Sequence, residues 1–286
     1  MKILVTGGNG QLGHELKKNS DVNNDFEWIF THRQSFDISD LKNINAYLNK
    51  CKADVIINCA AYTFVDMAKD DFELANIVNH KSVILIAKWC NDNNCKLLHI
   101  STDYVYDGNS LLPYVESDKT NPLNNYGKSK LLGDLACQKY NPSSIIIRTS
   151  WLYTSFGNNF LIKIINKMQN SHEIEVVNDQ FGSPTYARDL VNIILLIICD
   201  KKWQPGIYNF TNKGNVSWYD FANEIKSIFG FHTIIKPISS KEYSQKAKRP
   251  KYSALDNSKI INTFNIKQIY YLDSLRKCIK ILKNES

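Results

Sequence analysis

Short apolar runs and longer amphipathic stretches alternate over the first 150 residues of the chain. The apolar runs are rich in β-branched residues, which favour strands: KILVT, EWIF, DVIINC, KLLHIS and SIIIRTS. One stretch between them, from Phe72 to Asn93, carries its apolar residues at helical spacing. This alternation is typical of parallel strands joined by helical crossovers. We therefore predict a Rossmann-type, doubly wound α/β domain with a parallel sheet over residues 1–150.

The pattern loosens after Trp151. Helical spacing near residues 159–169, 187–199 and 217–229 alternates with short strand signals such as EIEVV and GIYNF. We interpret residues 151–286 as mainly a smaller C-terminal α/β domain that binds substrate, with the option that the chain crosses back to the first domain. The most apolar run, from Leu190 to Cys199, is too short to cross a bilayer and indicates a buried helix.

The composition, with 43% hydrophobic and 22% charged residues, is that of a soluble globular protein. The formal net charge of +7 could attract an anion, but the basic residues are scattered and their longest run, from Lys246 to Lys251, is short. We therefore expect a phosphate-bearing small molecule as partner, rather than nucleic acid or a membrane. Seven cysteines without a CxxC pair fit reduced thiols in the cytoplasm.

The first strand leads directly into TGGNGQLG, in which Gly7, Gly10 and Gly13 follow a GxxGxxG spacing before a predicted helix. Glycines at such a turn let a pyrophosphate approach the backbone, and the N-terminus of the helix then faces the anion. The pattern predicts a dinucleotide site. A plain turn between strand and helix is the alternative.

The second strand ends near Arg33, without an acid at its tip. An acid here binds the ribose of NAD, whereas an arginine suits the 2′-phosphate of NADP, so we expect NADPH as cofactor with NADH as the alternative. Arg33 could equally be a solvated turn residue. Asp37 is interpreted either as the N-cap of a helix from Ile38 onward or as a contact to adenine, and Ser39 is an equal candidate for the cap.

Tyr126 lies four residues before Lys130 in the stretch NNYGKSK. If a helix begins here, these two side chains share one face and Lys128 points elsewhere. A free phenol ionises near pH 10, so a fixed positive charge beside it would make it a better proton donor. The pair is interpreted either as a proton-transfer pair or as a surface turn in which Tyr126 packs and Lys130 stays in water.

Thr102 ends the fourth predicted strand, in the stretch HISTDYVYDG. It lies at the sheet edge where open α/β sheets bind their ligands. Its hydroxyl could cap the backbone locally, or it could converge with the phenol of Tyr126 on one carbonyl group of a substrate.

Together these features resemble the extended short-chain dehydrogenases/reductases, which combine a glycine-rich turn, a Ser-Thr-Asp strand end and a YxxxK pattern. Within that superfamily the chain resembles the dTDP-4-dehydrorhamnose reductases, which complete dTDP-L-rhamnose synthesis. The stretches that carry the resemblance follow the family order over most of the chain: NCAAYTFVD (58–66), STDYVYDG (101–108), NPLNNYGKSK (121–130), IIRTSWLY (146–153), NDQFGSPTYARDL (178–190) and SWYDFA (217–222).

The resemblance implies that a nicotinamide cofactor reduces the 4-keto group of a sugar nucleotide. Tyr126 would give a proton to the sugar oxygen, and Lys130 would lower the pKa of the phenol and hold the nicotinamide ribose. Thr102 would orient the carbonyl. The resemblance also implies further cofactor contacts: Gly7, Gly10, Gln11, Leu12, Arg33, Asp37, Ile38, Cys59, Ala60 and Ala61.

The implied substrate contacts form two groups. Val65 and Tyr104 would border the hexose, Trp151 would pack on it, and Asp103 would also contact the substrate. Four more would meet the nucleotide: Asn178, Gln180, Thr185 and Arg249. Trp151 is equally well explained as a core residue. Arg249 could be a charge on the rim of the site rather than a planar fork for the diphosphate.

Several points stay open. The chain carries Lys69 where the family is usually acidic, and no acidic cluster marks a metal site, so we assign no metal. A homodimer is an expectation only. A sugar-nucleotide epimerase or dehydratase is a rival function. Thr31-His32-Arg33 at the end of the second strand, which has no acid, counts against an epimerase, and Asp103 followed by Tyr104 rather than by a glutamate counts against a dehydratase. A regulatory subunit of the methionine adenosyltransferase type is another rival, which the presence of Thr102, Tyr126 and Lys130 disfavours.

Overall fold

The computed structural model describes residues 1–20, 26–200 and 202–285. The strands within these residues are β1 (Lys2–Thr6), β2 (Glu27–Phe30), β3 (Val55–Asn58), β4 (Lys96–Thr102), β5 (Ile145–Thr149), β6 (Leu152–Tyr153), β7 (Glu173–Val177), β8 (Phe181–Gly182), β9 (Thr185–Tyr186), β10 (Gly206–Asn209), β11 (Val216–Ser217) and β12 (Ile234–Ile238). The α-helices are α1 (Gln11–Ser20), α2 (Ile44–Cys51), α3 (Phe72–Asn76), α4 (Ser82–Asp92), α5 (Asn125–Tyr140), α6 (Phe160–Asn170), α7 (Ala187–Cys199), α8 (Trp218–Phe229), α9 (Ser258–Phe264) and α10 (Tyr271–Glu285).

Six strands form one parallel sheet in the order β10-β5-β4-β3-β1-β2. The central strands are buried on both faces, which is why their sequences are continuous apolar runs. The chain moves from β1 to β2 and then returns to β3 on the other side of β1, so the strand order reverses between β1 and β3. The crevice at such a reversal is where open α/β sheets bind ligands. The predicted Rossmann-type parallel sheet is confirmed.

Helices cover both faces of this sheet. On one face α1 and α7 contribute Leu16 and Ile194 to a hydrophobic core, and on the other α2 and α4 contribute Leu48 and Ile86 to a second core. Residues of β1 alternate between the two cores, as the two-residue period of a strand requires. The helix predicted from the apolar run of residues 190–199 is confirmed as the buried C-terminal part of α7.

The helix predicted over residues 72–93 is present but not uniform. Helix α3 passes into a π-helical turn, Ile77–Lys81, which continues as α4. In this turn the buried Asn79 accepts a hydrogen bond from the Tyr62 main chain and donates one to Ser129 Oγ of α5. π turns occur frequently at functional sites. This one holds α5 against the loop that follows β3.

The C-terminal part of the chain has a core of its own. Helices α6, α8 and α10 pack around the parallel pair of β7 and β12. Helix α8 begins with a capping box, in which Ser217 and Asp220 bond each other's backbone N–H groups.

The strand predicted at GIYNF is present, and it follows the option that the chain crosses back to the first part of the fold. Its residues form β10, which pairs in parallel with β5 and extends the main sheet. The pairing joins positions about sixty residues apart, and the local periodicity of a sequence does not predict such a contact. The chain therefore returns to the first layer after the segment that contains α6 and β7. The division into two domains at residue 150 stays a prediction.

Across the described ranges, no helix is both long enough and apolar enough to cross a bilayer.

Candidate active site

The glycine-rich turn lies at the reversal of strand order, between the ends of β1 and β3. Gly7 has a φ of +69°, which residues with a side chain rarely adopt, and a Cβ on it would lie 2.8 Å from the Ala60 backbone. A Cβ on Gly13 would overlap the Gly7 carbonyl oxygen, so glycine is what lets α1 start this close to the turn. The first-turn N–H groups of α1 consequently face the crevice, as a pyrophosphate requires. These residues fit a dinucleotide.

The neighbours of this turn differ in what they offer a cofactor. Leu12 and Ile38 are 5% and 6% exposed and belong to the two hydrophobic cores. Their side chains therefore pack into these cores rather than into the crevice. Three small residues that follow β3 are half-buried beside the turn: Cys59, Ala60 and Ala61.

A loop from the C-terminal half reaches the start of α1. Gln11 accepts a hydrogen bond from Asn159 Nδ2 at 3.0 Å, and Asn159 also caps α6 by accepting from Ile162 N. Gly157 in the same loop has a φ of +76° and lies beside the Gln11 side chain. The glycine-rich turn is therefore bordered by residues from both halves of the chain.

Arg33 and Asp37 form an exposed ion pair, with Arg33 Nε 3.2 Å from Asp37 Oδ2 and the arginine side chain 77% exposed. Burial acts to raise the pKa of Asp37, but hydrogen bonds from Ser39 and Arg33 outweigh it and the pKa lies below its usual value. The helix-cap interpretations of Asp37 and Ser39 are wrong, because α2 begins only at Ile44. Asp37 instead binds the N–H and hydroxyl of Ser39, which closes a turn before the helix.

The N-terminus of α5 is seated against the segment that follows β4. Asn124 caps the helix by accepting a hydrogen bond from Gly127 N at 2.8 Å. A Cβ on Gly127 would overlap the Tyr104 carbonyl oxygen, so glycine permits this close approach. Tyr126 is half-buried and Lys130 is 2% exposed. The interpretation as a surface turn with a solvated lysine is therefore wrong.

The ammonium group of Lys130 is held by the neighbouring strand. Nζ donates to the Ile100 carbonyl oxygen at 2.7 Å and lies 3.3 Å from His99 Nε2. Burial lowers the pKa of Lys130, and the carboxylate of Asp134 opposes this effect.

The pKa of Tyr126 is raised to about 12, because burial disfavours the phenolate, while a hydrogen bond with Thr102 acts in the opposite direction. The net change is opposite to the lowering expected from Lys130, because burial is the largest effect on this phenol. The phenol is accordingly protonated at neutral pH, which is the state that a proton donor needs.

Thr102 ends β4, and its hydroxyl makes two hydrogen bonds in the structure. Oγ1 accepts a hydrogen bond from Tyr104 N at 3.3 Å, which is the capping role, and donates to Asp103 Oδ1 at 3.0 Å. Asp103 is 2% exposed, and burial raises its pKa to about 7 against the opposing hydrogen bonds from Ser253 and Thr102. The edge of β4 thus carries two hydroxyl groups, of Thr102 and Tyr126, next to a carboxyl group with a raised pKa.

Arg249 reaches this edge from the C-terminal half. Its Nη2 lies 2.7 Å from Asp66 Oδ2 and its Nη1 lies 3.1 Å from Asp66 Oδ1, a two-point ion pair that is partly exposed. Asp66 also accepts from Ala247 N at 3.0 Å. The rings of Tyr104 and Tyr126 meet edge to face with centroids 5.8 Å apart. The segment that carries Arg249 therefore closes over the loop that follows β3.

Trp151 is held in a strained conformation just after β5. Its φ is +46°, which is costly for a residue with a side chain and requires support from its surroundings. Its indole stacks on Trp218 with centroids 3.3 Å apart, and a Cβ on Gly182 would lie 2.6 Å from the indole ring. Trp218 already covers one face of the Trp151 indole. Stacking of the hexose on Trp151 stays a prediction, and it would have to use the other face.

The other predicted substrate contacts are dispersed. Val65 is half-buried in the loop after β3, and Asn178 is exposed at the end of β7. Gln180 is 4% exposed and Thr185 is 0% exposed, with Thr185 Oγ1 accepting from Thr149 Oγ1 at 3.3 Å. The structure therefore does not bring the Thr185 side chain to an open surface.

Sequence reasoning missed four residues at this edge: Asn58, Asp66, His99 and Trp218. His99 had a usable signal, since a histidine inside the apolar strand KLLHIS needs polar partners when buried. Asn58 had a similar signal as a polar residue that ends the buried strand DVIIN. Trp218 and Asp66 had none, because their partners are far away in the sequence.

Within the part of the chain that the structure describes, no three His, Cys, Asp or Glu side chains gather as a metal site would need.

Comparison with known proteins identifies the family. A family model described as the RmlD substrate binding domain matches residues 1–284. The chain belongs to this family. A dTDP-4-dehydrorhamnose reductase from Aggregatibacter actinomycetemcomitans is 37% identical over 275 residues, which cover 93% of this chain and 94% of that relative.

Solved structures of similar proteins agree with this assignment. A dTDP-4-dehydrorhamnose reductase from Clostridium acetobutylicum is 39% identical with a TM-score of 0.94, covering 99% of this chain and 100% of that one. A dTDP-4-dehydrorhamnose reductase from Bacillus anthracis, solved in complex with NADP, is 32% identical with a TM-score of 0.92, covering 97% and 98%. The resemblance recognised from the sequence motifs is confirmed.

Proposed function

We propose that this chain uses NADPH to reduce the 4-keto group of dTDP-4-dehydro-L-rhamnose, giving dTDP-L-rhamnose. The observation that carries the proposal is the meeting of Thr102, Tyr126 and Lys130 at the carboxyl edge of the parallel sheet. The relatives named for this reaction support the choice of substrate.

The residues at the edge have separate tasks in this reaction. NADPH, when bound, supplies a hydride to the carbonyl carbon. Tyr126 donates its phenol proton to the carbonyl oxygen, and the Thr102 hydroxyl orients that oxygen. Lys130, one helical turn beyond Tyr126, stabilises the phenolate that remains after the transfer and holds the nicotinamide ribose.

The cofactor preference rests on the glycine-rich turn and the tip of β2. Gly7 and Gly13 leave room for a pyrophosphate at the N-terminus of α1. The residues that directly follow β2, Thr31-His32-Arg33, include no acid, and the Arg33 side chain is exposed enough to bind a 2′-phosphate once it leaves its ion pair with Asp37. The B. anthracis relative was solved with NADP, which supports the same preference. NADH is the alternative cofactor.

The test follows cofactor oxidation at 340 nm with purified protein, NADPH or NADH, and dTDP-4-dehydro-L-rhamnose generated in place. We expect oxidation by the wild type and a loss of at least about 100-fold in kcat for Tyr126→Phe, which keeps the ring and removes the proton. Lys128→Met is the matched control, because Lys128 lies on the same helix and is exposed.

The control variant should retain wild-type kcat. A wild type that is folded, binds NADPH and does not oxidise it with this substrate would overturn the proposed reaction. It would favour another keto sugar or the regulatory-subunit alternative. Full activity in Tyr126→Phe would leave the reaction in place and remove Tyr126 as the proton donor.

We also propose that the protein works in the cytoplasm, with the dTDP-sugar as its small-molecule partner. All seven cysteines are free thiols, which fits a reducing compartment. A homodimer stays a prediction that light scattering on the purified protein tests.

A further inference from the structure

Lys130 lies at one end of a buried row of polar side chains that crosses three neighbouring strands. The sheet register pairs Thr6 of β1 with Asn58 of β3, and Asn58 with His99 of β4. Thr6 Oγ1 donates to Asn58 Oδ1 at 2.6 Å, and the Asn58 amide lies 3.0 Å from His99 Nδ1. His99 Nε2 in turn lies 3.3 Å from Lys130 Nζ. Each of the four side chains is at most 2% exposed.

The protons of this row depend on one another. His99 is neutral, because burial and then the charge of Lys130 hold its pKa well below the usual value. A neutral imidazole carries one N–H, and an ammonium group can only donate. A charged Lys130 therefore requires a bare Nε2 and a proton on Nδ1 of His99. That proton needs an acceptor, and the group within reach is the amide of Asn58.

The Asn58 amide has two orientations of the same shape, and each matches one charge state of Lys130. With Nδ2 toward His99, as in the structure, the imidazole proton lies on Nε2 and faces an uncharged amine. With Oδ1 toward His99, the proton lies on Nδ1 and Nε2 accepts from an ammonium ion. The Thr6 hydroxyl suits both orientations, since it can donate or accept.

We propose that Asn58 and His99 are positioning residues that hold Lys130 as an ammonium ion, with Asn58 Oδ1 accepting from Nδ1–H of His99. Two of the three N–H groups of Lys130 then have fixed acceptors, Ile100 O and His99 Nε2, which leaves the third N–H free for a cofactor. The importance of this row for turnover rests on the proposed function, but its proton arrangement does not.

The other titratable groups around Lys130 are consistent with the same state. Asp134, Cys137 and Cys59 are the ionisable side chains that act on the pKa of Lys130, and the carboxylate of Asp134 favours the ammonium form. Burial raises the pKa of both thiols, so they stay uncharged at neutral pH. Asp134 Oδ2 accepts from Arg148 Nε at 3.0 Å, and its Oδ1 lies 4.0 Å from His99 Nε2. That separation is too long for a hydrogen bond, so the carboxylate does not compete with Lys130 for Nε2.

The first test reads the histidine tautomer directly. Nitrogen NMR on ¹⁵N-histidine-labelled protein with NADP⁺, without substrate, distinguishes Nδ1–H from Nε2–H, and His99→Gln identifies the His99 signals among the six histidines. We expect Nδ1–H in the wild type and in Asn58→Asp, whose carboxylate only accepts, and loss of this preference in Asn58→Leu. An Nε2–H tautomer in the wild type overturns the proposal, whether or not the protein reduces the proposed substrate.

The second test measures turnover. Asn58→Leu should lower kcat about tenfold or more and change its pH profile, with little change in KM, whereas Asn58→Asp should keep most of the activity. If Asn58→Leu does not fold, His99→Gln and His99→Leu make the same comparison, because only glutamine offers Lys130 an acceptor. Equal kcat and pH profiles for the wild type and the folded leucine variant would overturn the proposal.

Discussion

At the scale of one residue, the burial of Asp103 makes the free energy of unfolding depend on pH. The Asp103 side chain is 2% exposed, and burial raises its pKa to about 7 in spite of the hydrogen bonds from Ser253 and Thr102. In the unfolded chain an aspartate ionises near pH 4. Between these values the unfolded state has lost the proton and the folded state keeps it. The free energy of unfolding therefore falls as the pH rises from about 4 to about 7.

Asp103→Asn removes this dependence. We expect the wild type to lose about 3 kcal/mol relative to the variant between pH 4.5 and pH 8, since each pH unit below the folded pKa is worth about 1.4 kcal/mol. Urea unfolding of both proteins at the two pH values measures the difference. If their free energies of unfolding change in parallel, Asp103 ionises normally in the folded protein.

Arg249 carries a second prediction at this scale. Its guanidinium already forms a two-point pair with Asp66, which is the geometry that a diphosphate would need. We expect Arg249→Lys to raise KM for the dTDP-sugar roughly tenfold or more, because a lysine replaces the fork by a single point charge. The affinity for NADPH should not change.

Asp66→Asn is the companion variant to Arg249→Lys, since it weakens the pair without removing the guanidinium. Steady-state kinetics should show a KM at or below the wild-type value. An unchanged KM in Arg249→Lys would place the arginine on the rim of the site. Its role would then be limited to the ion pair with Asp66.

Residue spacing predicted that Tyr126 and Lys130 lie together but could not predict their electrostatics. Tyr126 and Lys130 share a helix, so their separation follows from 3.6 residues per turn. The acceptors of Lys130, Ile100 O and His99 Nε2, come from a strand thirty residues earlier. The sign of the pKa change at Tyr126 depends on burial, which a local pattern does not record.

At the scale of elements, the seating of α5 decides where the phenol of Tyr126 lies. A Cβ at position 127 would overlap the main chain at Tyr104, so Gly127→Ala must push the first turn of α5 away from the end of β4. We expect a loss of about 1–3 kcal/mol of stability, as for other overpacked sites, and a larger loss of kcat than of NADPH affinity.

The matched control for this displacement is Leu135→Ala, which lies half-exposed on the same helix. Thermal unfolding, NADPH titration and kcat of the two variants separate a general helix effect from displacement of Tyr126. A Gly127→Ala variant with wild-type kcat would show that the helix can shift without moving the phenol.

Element prediction succeeded where burial and local pattern agree. The central strands are buried on both faces, so their β-branched runs predicted them correctly. The start of α2 was missed because Asp37 closes a turn with Ser39, a local alternative that the same residue types favour.

At the scale of the whole molecule, the returning chain makes the two halves depend on each other. Strand β10 covers the edge of β5, and α7 covers one face of the sheet with Leu190 and Ile194. Neither contact was predictable from the sequence pattern, because both join segments that are far apart in the chain. A chain cut at residue 150 would expose a paired strand edge and an apolar face together.

We therefore expect residues 1–150 alone to aggregate rather than fold, since an open hydrophobic edge pairs with other chains. Co-expression with residues 151–286 should restore a soluble complex that binds NADPH, because the second segment supplies β10 and α7. The intact chain should unfold in one transition when tryptophan fluorescence and far-ultraviolet circular dichroism are compared. A soluble 1–150 fragment with its own cooperative unfolding would instead show that the sheet tolerates an open edge at β5, and that α7 contributes to stability without being needed for folding.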